Sequence, residues 1–235
     1  MAVEIPLRAA VFDLDGTLID SEPRNRVMWR KLFASHGVPQ DEALIASFAG
    51  RRGLEVLSDL LHLFPSGRTA EELFEEAVSY ESLPGMPPPA PVAGAVELVR
   101  SLADAGLPLA VVTSGQREYA ERLLAFLGIR DLLDIVLTAG DVTTGKPHPE
   151  GYLAASRDLG VPPHEAIGFE DAPAGVAAVK AAGMTCVGIT TTQPAAALAA
   201  ADHVVADLQR VNVAPGPALR VPVSGAGERK EQGVR

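Results

Sequence analysis

Short apolar runs alternate along most of the chain with segments in which apolar residues recur every three or four positions. The runs are typical of buried β-strands, and the segments are typical of amphipathic helices. This alternation predicts a doubly wound α/β fold, in which helices cover a parallel sheet. The predicted strands are 7–12, 109–112, 135–137, 166–169, 185–189 and 203–205. The helices predicted between them are 92–105, 119–127 and 152–159.

The region 18–85 interrupts this alternation, because helical patterns follow one another there without a strand pattern between them. These predicted helices are 24–36, 41–48, 54–63 and 69–80. A proline-rich stretch at 83–91 is stiff and extended, as expected of a linker that returns to the sheet. We therefore predict a core made of 1–17 and 86–211, and a helical cap with its return linker at 18–85.

The C-terminal stretch is rich in proline, glycine, serine and charged residues. This stretch shows no helical or strand period, and such a composition is typical of disorder. We predict that residues 212–235 are disordered.

Composition narrows the functional classes. The 235 residues are 47% apolar, which is enough for one core and a small inserted domain. A net charge of −10 argues against a nucleic-acid partner, which needs a basic surface. No apolar run reaches the length of a membrane span, and no secretory signal is visible. Because the single Cys186 has no partner for a disulfide, we predict a cytoplasmic protein.

Acidic and hydroxyl residues follow three of the predicted strands. They are Asp13, Asp15, Thr113, Ser114, Glu170 and Asp171. Taken singly, each is explained as a helix cap or a turn residue. Taken together, they would meet in the crevice at the carboxyl ends of the strands, where ligands bind in this fold class. Clustered carboxylates repel one another unless a cation lies among them, and an all-oxygen ligand set suits Mg²⁺.

These residues lie in motifs that resemble those of the haloacid dehalogenase superfamily of phosphotransferases, in the same order. The resemblance covers the chain up to about residue 192 and implies a Rossmann-like core with an inserted small α-helical cap domain. The motifs are VFDLDGTL at 11–18, VTSG at 112–115, GKPHP at 145–149 and GFEDAPAG at 168–175.

The resemblance implies that Asp13 attacks phosphorus and forms an aspartyl-phosphate. Asp15 would act as the general acid and then as the general base. Phosphate chemistry is favoured over dehalogenation, because a halide leaving group needs no proton from a residue such as Asp15.

The resemblance also implies which groups bind the substrate phosphate and the metal. Thr113, Ser114, Gly115 and Lys146 would hold the phosphate oxygens. The residues implied to hold Mg²⁺ are Asp13 and Asp171 through their carboxylates, Asp15 through its backbone carbonyl, and Glu170 through a water or from behind the ligands.

The inserted helices resemble the cap of the β-phosphoglucomutase-like branch, whose Gly-x-Arg loop matches residues 50–52. Arg52 is therefore a candidate substrate-binding residue. Asn25 stands where mutases of this branch carry a histidine, which favours a phosphatase over a mutase. The motifs read most like those of the glycerol-3-phosphatase and 2-deoxyglucose-6-phosphatase group. A monomeric hydrolase of a small sugar or polyol phosphate is predicted, with Asn25 near the substrate.

Three alternatives stay open at this point. The first is a mutase that interconverts hexose phosphates. The second is a non-catalytic regulator that binds phosphorylated metabolites, which the intact Asp13, Asp15, Lys146 and Asp171 disfavour. The third, phosphonate hydrolysis, would need a cap lysine that forms a Schiff base; it is disfavoured because Lys31, the only lysine in the predicted cap, lies within a predicted helix.

Overall fold

The computed structural model describes residues 2–214, 216 and 218–222. Its strands are β1 (Ala2–Pro6), β2 (Ala9–Phe12), β3 (Ile19–Asp20), β4 (Ala90–Pro91), β5 (Leu109–Val112), β6 (Ile135–Leu137), β7 (Ala166–Glu170), β8 (Thr185–Ile189), β9 (His203–Val205), β10 (Asn212–Ala214) and β11 (Ala218–Pro222). Its α-helices are α1 (Glu22–Ser35), α2 (Glu42–Ala46), α3 (Gly53–Leu60), α4 (Ala70–Ser79), α5 (Ala95–Asp104), α6 (Arg117–Leu127), α7 (Glu150–Asp158) and α8 (Pro173–Ala181).

The central sheet has six parallel strands in the order β6-β5-β2-β7-β8-β9. All six coincide with strands predicted from the sequence, within three residues at either end. Strands buried on both faces read as continuous apolar runs, which is why these short elements could be recognised. The predicted Rossmann-like, doubly wound fold is confirmed.

Helices cover both faces of this sheet. Alternate residues of β2 point to opposite sides: Phe12 belongs to one hydrophobic cluster and Val11 to the other. The Phe12 cluster includes Leu98 of α5 and Leu124 of α6. The Val11 cluster includes Tyr152 of α7 together with residues of α8. Both faces of the sheet are therefore covered by helices, and its carboxyl edge is where residues that follow neighbouring strands can form a site.

The four helices α1–α4 form a separate unit between β3 and β4. They enclose their own cluster, which includes Phe33, Leu57 and Leu73. Strands β3 and β4 pair antiparallel where the chain leaves and re-enters the core. Leu18 and Ile19, which the sequence pattern assigned to the cap, pack instead in the cluster beneath the central sheet. The first cap helix begins only at Glu22.

The prediction that residues 212–235 are disordered is wrong for β10 and β11. These strands form a three-stranded antiparallel sheet in the order β1-β11-β10. Leu219 and Val221 are completely buried against the main cluster, which explains why the segment is ordered. A run of three or five residues beside prolines is too short to give a strand period. Residues 223–235 lie outside the described residues.

The described helices include none with the length and apolar content needed to cross a bilayer.

A hydrogen-bond cluster around Glu76 joins the cap helices α1 and α4. Its carboxylate accepts bonds from Tyr80 (2.7 Å), Ser35 (3.1 Å) and Arg68 (2.8 Å), and its Oε2 lies 3.0 Å from Nε2 of His36. Burial opposes ionisation of Glu76, but these donors outweigh it and lower its pKa from 4.5 to about 2. Because the pKa is lower in the folded state, the stabilisation is present above about pH 4.5 and is lost as the pH falls towards 2.

We expect Glu76→Gln to lower the free energy of unfolding by about 1–2 kcal/mol at pH 7, since an amide cannot accept all of these bonds. The difference from the unsubstituted protein should shrink between pH 4.5 and pH 3. Urea unfolding at each pH measures it. Glu71→Gln on the same helix removes a carboxylate that has no partner in the described chain, and serves as the control. A difference that does not change with pH would contradict the assignment.

Candidate active site

The predicted site residues meet at the carboxyl edge of the sheet. Asp13 follows β2, Thr113 follows β5, and Glu170 ends β7, and these three strands are neighbours in the sheet. Lys146 reaches them from the loop before α7. The structure therefore brings together side chains that are up to 157 positions apart in the sequence, as strand order requires.

Lys146 lies between two buried carboxylates. Its Nζ donates to Oδ1 of Asp13 in a short hydrogen bond and to Oε1 of Glu170 at 2.6 Å. The side chains of Lys146 and Asp13 are each 5% exposed, and that of Glu170 is completely buried. Burial opposes the charge of Lys146, yet the two carboxylates outweigh it and raise the pKa of the lysine. Burial also raises the pKa of Asp13 to about 8, although Lys146 opposes this.

Glu170 has both carboxylate oxygens occupied. Oε1 accepts a bond from the Tyr152 hydroxyl at 2.7 Å besides that from Lys146. Oε2 accepts the backbone N–H groups of Asp171 (3.1 Å) and Ala172 (3.4 Å). These bonds hold the Glu170 carboxylate in one position, and Glu170 in turn holds the ammonium group of Lys146 in place. Tyr152 was missed in the sequence, because an aromatic residue in an amphipathic helix looks like ordinary core.

Asp13, Glu170 and Asp171 each offer one oxygen, and these oxygens lie within 4.8 Å of one another. Oδ2 of Asp13 and Oδ1 of Asp171 are buried without a hydrogen-bond partner in the described chain. Two unpaired carboxylate oxygens in a buried acidic cluster are the donor set that a hard divalent cation such as Mg²⁺ prefers. The residues present therefore fit the predicted metal. A Cβ at Gly16, whose φ is +84°, would lie 2.0 Å from Oδ2 of Asp171, so glycine is required there.

Asp15 is held by two hydroxyl groups. Ser21 donates to its Oδ1 at 2.5 Å, and Tyr119 donates to the same oxygen at 2.6 Å. Asn25 lies behind Ser21, with its amide 3.4 Å from the serine hydroxyl. Burial raises the pKa of Asp15, and the bonds from Ser21 and Tyr119 oppose this rise. Both donors bind Oδ1, which leaves Oδ2 available to the cleft.

Tyr119→Phe should lower kcat about three- to tenfold and leave KM within about twofold, because a positioning bond of roughly 1 kcal/mol is lost while the cleft keeps its shape. Steady-state kinetics of phosphate release, the reaction that the motifs predict, measure both constants. Tyr80→Phe in the cap is the matched control, since its hydroxyl bonds Glu76 and neither residue lines the cleft. A variant with raised KM and unchanged kcat would mean that Tyr119 contacts the substrate instead.

Thr113, Ser114 and Gly115, which are predicted to hold the phosphate, line the same cleft as Asp15. Oγ1 of Thr113 accepts the backbone N–H of Gly115 at 3.0 Å, so the threonine hydrogen is free to donate elsewhere. Ser114 uses its hydroxyl differently and donates to the carbonyl of Gly50 in the cap at 2.9 Å. Its backbone amide is then the group that can serve a ligand, as the resemblance implies.

Arg52 does not line the large cleft between cap and core. Its guanidinium donates to the carbonyls of Val142 (2.9 Å) and Thr143 (3.2 Å), in the loop before Lys146, and pairs with Glu55 at 3.5 Å. The neighbouring Arg51 lines the cleft instead. The structure thus assigns Arg52 a contact between cap and core, and its binding to substrate stays a prediction.

A cavity of about 540 Å³ separates the cap from the core, with Asp13 and Asp15 in its wall. Asn25, Thr113 and Ser114 line it as well. Its apolar lining comes from the cap: Met28, Trp29, Ile45, Phe48, Phe74 and Val78. The site is thus a cleft whose reactive groups belong to the core and whose opposite wall belongs to the cap.

Comparisons with known proteins agree with this arrangement. A model of the haloacid dehalogenase-like hydrolase family matches residues 7–183. Validoxylamine A 7'-phosphate phosphatase of Streptomyces hygroscopicus subsp. limoneus is 50% identical over 204 residues, which are 87% of this chain and 95% of that protein. Hexitol phosphatase A of Escherichia coli (strain K12) is 32% identical over 215 residues, which are 88% and 94% of the two chains.

Among solved structures, β-phosphoglucomutase from Clostridium difficile has a TM-score of 0.72 and 28% identity, and the match covers 86% of this chain and 92% of that chain. These matches confirm two predictions: that the chain is a member of this family, and that it is a phosphoric monoester hydrolase. The chain belongs to the haloacid dehalogenase-like hydrolases.

Proposed function

We propose that the enzyme is a magnesium-dependent phosphatase that hydrolyses a small sugar or polyol phosphate monoester through an aspartyl-phosphate on Asp13. One observation carries this proposal. The Asp13 carboxylate is buried and lines the cleft, Lys146 holds one of its oxygens, and the other oxygen has no partner among the described residues. An oriented, unpaired carboxylate oxygen beside a fixed cation is suited to attack on phosphorus.

In the first step, an oxygen of Asp13 attacks phosphorus as the ester bond to the leaving alcohol breaks. Asp15 gives its proton to the leaving oxygen, and burial supports this role by raising the pKa of Asp15. The Thr113 hydroxyl and the backbone amide of Ser114 would donate hydrogen bonds to the phosphate oxygens, and Lys146 would offset their negative charge.

In the second step, water attacks the phosphorus of the aspartyl-phosphate. Asp15, now ionised, takes the proton of that water, and its bonds from Ser21 and Tyr119 keep it in position. The bond to the Asp13 oxygen breaks, inorganic phosphate leaves, and both aspartates return to their starting states.

Asp13 and Asp171 would hold Mg²⁺ through their unpaired oxygens, together with the backbone carbonyl of Asp15. Glu170 would support the site through Lys146, because its own oxygens are occupied. The ion, when bound, supplies positive charge that offsets the phosphate and the clustered carboxylates.

The substrate class rests on the relatives, whose names describe phosphatases of a validoxylamine phosphate and of hexitol phosphates. The cleft is compatible with this class, since its volume falls within the range of about 300–1,000 Å³ usual for small-molecule sites. That the enzyme is monomeric and cytoplasmic stays a prediction.

Phosphate release from a panel of sugar, aminosugar and polyol phosphates, with Mg²⁺ or with EDTA, tests the proposal. We expect release that requires the metal. Mg²⁺ should also raise the melting temperature of the protein, because it binds only the folded state, and Asp171→Asn should abolish that rise. Equal release in EDTA, or none from any ester, would overturn the proposal.

The mutase alternative is favoured by one observation, the likeness to β-phosphoglucomutase structures. Asn25 disfavours it, because it stands where those mutases carry a histidine and here only lies against Ser21. Phosphorus NMR of β-glucose 1-phosphate with a bisphosphate activator decides the matter. We expect inorganic phosphate to form; conversion to glucose 6-phosphate would establish the mutase.

A further inference from the structure

The two carboxylate oxygens of Asp171 have different surroundings. The residue is almost completely buried, with 1% of its surface exposed. Its Oδ1 has no hydrogen-bond partner in the part of the chain that the structure describes. Its Oδ2 accepts a short hydrogen bond from the hydroxyl of Thr192. The backbone carbonyl of Asp171 lies 3.2 Å from the same hydroxyl, so the carboxylate is the nearer acceptor.

A second contact closes the space beside Oδ2 of Asp171. A Cβ added to Gly16 would lie 2.0 Å from this oxygen and 2.7 Å from Cγ2 of Thr192. The backbone of Gly16 and the side chain of Thr192 therefore both lie against Oδ2. A cation on this side of the carboxylate would have to displace one of them. Asp171 can thus offer Oδ1 to an ion more readily than Oδ2.

The segment that carries Thr192 is held independently of Asp171. Just after β8, the backbone N–H of Thr190 donates to the last carbonyl of β9 at 3.0 Å. On the other side of Thr192, the side-chain amide of Gln193 donates to the carbonyl of Ala46 in the cap at 3.2 Å. Thr192 therefore lies between one anchor in the sheet and one in the cap. Because its own position is fixed, its hydroxyl can set the orientation of the Asp171 carboxylate.

Thr192 lies outside the residues that the sequence assigned to the site. The four motifs end at residue 175, and the family model matches residues 7–183. The contact with Asp171 forms because β7 and β8 are neighbouring parallel strands, so that the residues that follow them meet at the same edge of the sheet. Motif spacing does not show this contact.

We propose that Thr192 is a positioning residue of the metal site, whose hydroxyl orients the Asp171 carboxylate so that Oδ1 alone is available to the ion. This inference rests on the proposed function, in which Asp171 holds Mg²⁺. Mg²⁺ demands a nearly octahedral set of oxygens, whereas Ca²⁺ accepts irregular sets and often takes both oxygens of one carboxylate. A carboxylate that is fixed to offer one oxygen therefore favours Mg²⁺ over Ca²⁺.

Calorimetric titration of the metal-free protein with MgCl₂ and, separately, with CaCl₂ tests this role in the absence of substrate. Thr192→Val keeps the shape of the side chain but removes the hydroxyl. We expect it to weaken Mg²⁺ binding about ten- to a hundredfold, the usual effect of removing a group that orients a metal ligand. Binding of Ca²⁺ should weaken less, because the released carboxylate can offer both oxygens to the larger ion. The preference for Mg²⁺ should therefore shrink.

Two further variants separate the hydroxyl from the rest of the loop. Thr192→Ser retains the hydroxyl and should bind Mg²⁺ nearly as tightly as the unsubstituted protein. Thr191→Val is the matched control, because the Thr191 hydroxyl has no hydrogen-bond partner among the described residues, and it should leave Mg²⁺ binding unchanged. Circular dichroism in EDTA reports whether each variant is folded.

The outcomes distinguish this inference from the proposed function. Suppose that the unsubstituted protein binds Mg²⁺. If Thr192→Val then binds it equally well, loses both ions to the same extent, or is matched in its loss by Thr192→Ser, the inference fails and the metal site of the proposed function stands. If the unsubstituted protein binds neither ion, the metal dependence of the proposed function fails, and the inference fails with it.

Discussion

Replacing Asp13 by asparagine should reduce phosphate release at least roughly 10⁴-fold, because the variant lacks the atom that is proposed to attack phosphorus. Asparagine keeps the shape of the side chain, and its oxygen can still accept the bond from Lys146. The loss should therefore appear in kcat rather than in folding. Phosphate release under saturating substrate measures it, and circular dichroism reports the fold. Asp104→Asn, an exposed carboxylate at the end of α5, is the control and should retain activity.

A covalent intermediate gives a second readout of the same role. With p-nitrophenyl phosphate, whose leaving group needs no proton, Asp15→Asn should form the aspartyl-phosphate but hydrolyse it slowly. Mass spectrometry of the quenched protein should then place a phosphate on the peptide that contains Asp13. Labelling of another residue, or an Asp13→Asn variant with more than a hundredth of the activity, would contradict the assignment.

Replacing Lys146 by methionine should lower the free energy of unfolding by about 3–5 kcal/mol, the usual result of removing one partner from a buried ion pair. Asp13 and Glu170 would then be buried together without the cation that separates them. Asp13, whose pKa is already raised by burial, would be driven further towards protonation, so the loss should be larger at pH 8 than at pH 5. Urea unfolding in EDTA measures the change without interference from a bound ion.

A second substitution separates charge from packing. Glu170→Gln in the Lys146→Met background removes one of the two carboxylates that have lost their cation, and we expect it to restore about half of the lost stability. The surface variant Lys180→Met is the control, because its partner Asp202 is exposed to water. If the double variant is less stable than Lys146→Met, the methylene chain of the lysine matters more than its charge. Activity should be lost in Lys146→Met and in its double variant with Glu170→Gln, and kept in Lys180→Met.

The local pattern was sufficient for the central sheet and the cap helices. Strands such as β5 and β8 are apolar at nearly every position, because helices cover both of their faces. The strand order then places Asp13, Thr113 and Glu170 side by side. These residues, with Lys146, could be predicted because they lie in motifs whose order and spacing resemble those of the family to which the chain belongs.

The pattern failed where a segment depends on distant partners. Strand β11 is ordered because Leu219 and Val221 meet a cluster built from other elements, and its own few residues do not show this. Tyr119 and Tyr152 lie in amphipathic helices and look like ordinary packing residues. Their hydroxyls reach Asp15 and Glu170 only after the helices dock on the sheet.

The sequence by itself determined the fold class, the family and the residues that meet at the carboxyl edge of the sheet. These follow from short-range patterns of burial and from motif spacing, both of which are properties of neighbouring residues. Only the tertiary structure decided that Lys146 and Tyr152 donate hydrogen bonds to the Glu170 carboxylate. It likewise decided that Arg52 donates to the carbonyl of Val142 in the core loop before Lys146. It also decided that residues of the cap and of the core line one cleft. Such contacts depend on how the cap is oriented over the core, which no local pattern encodes.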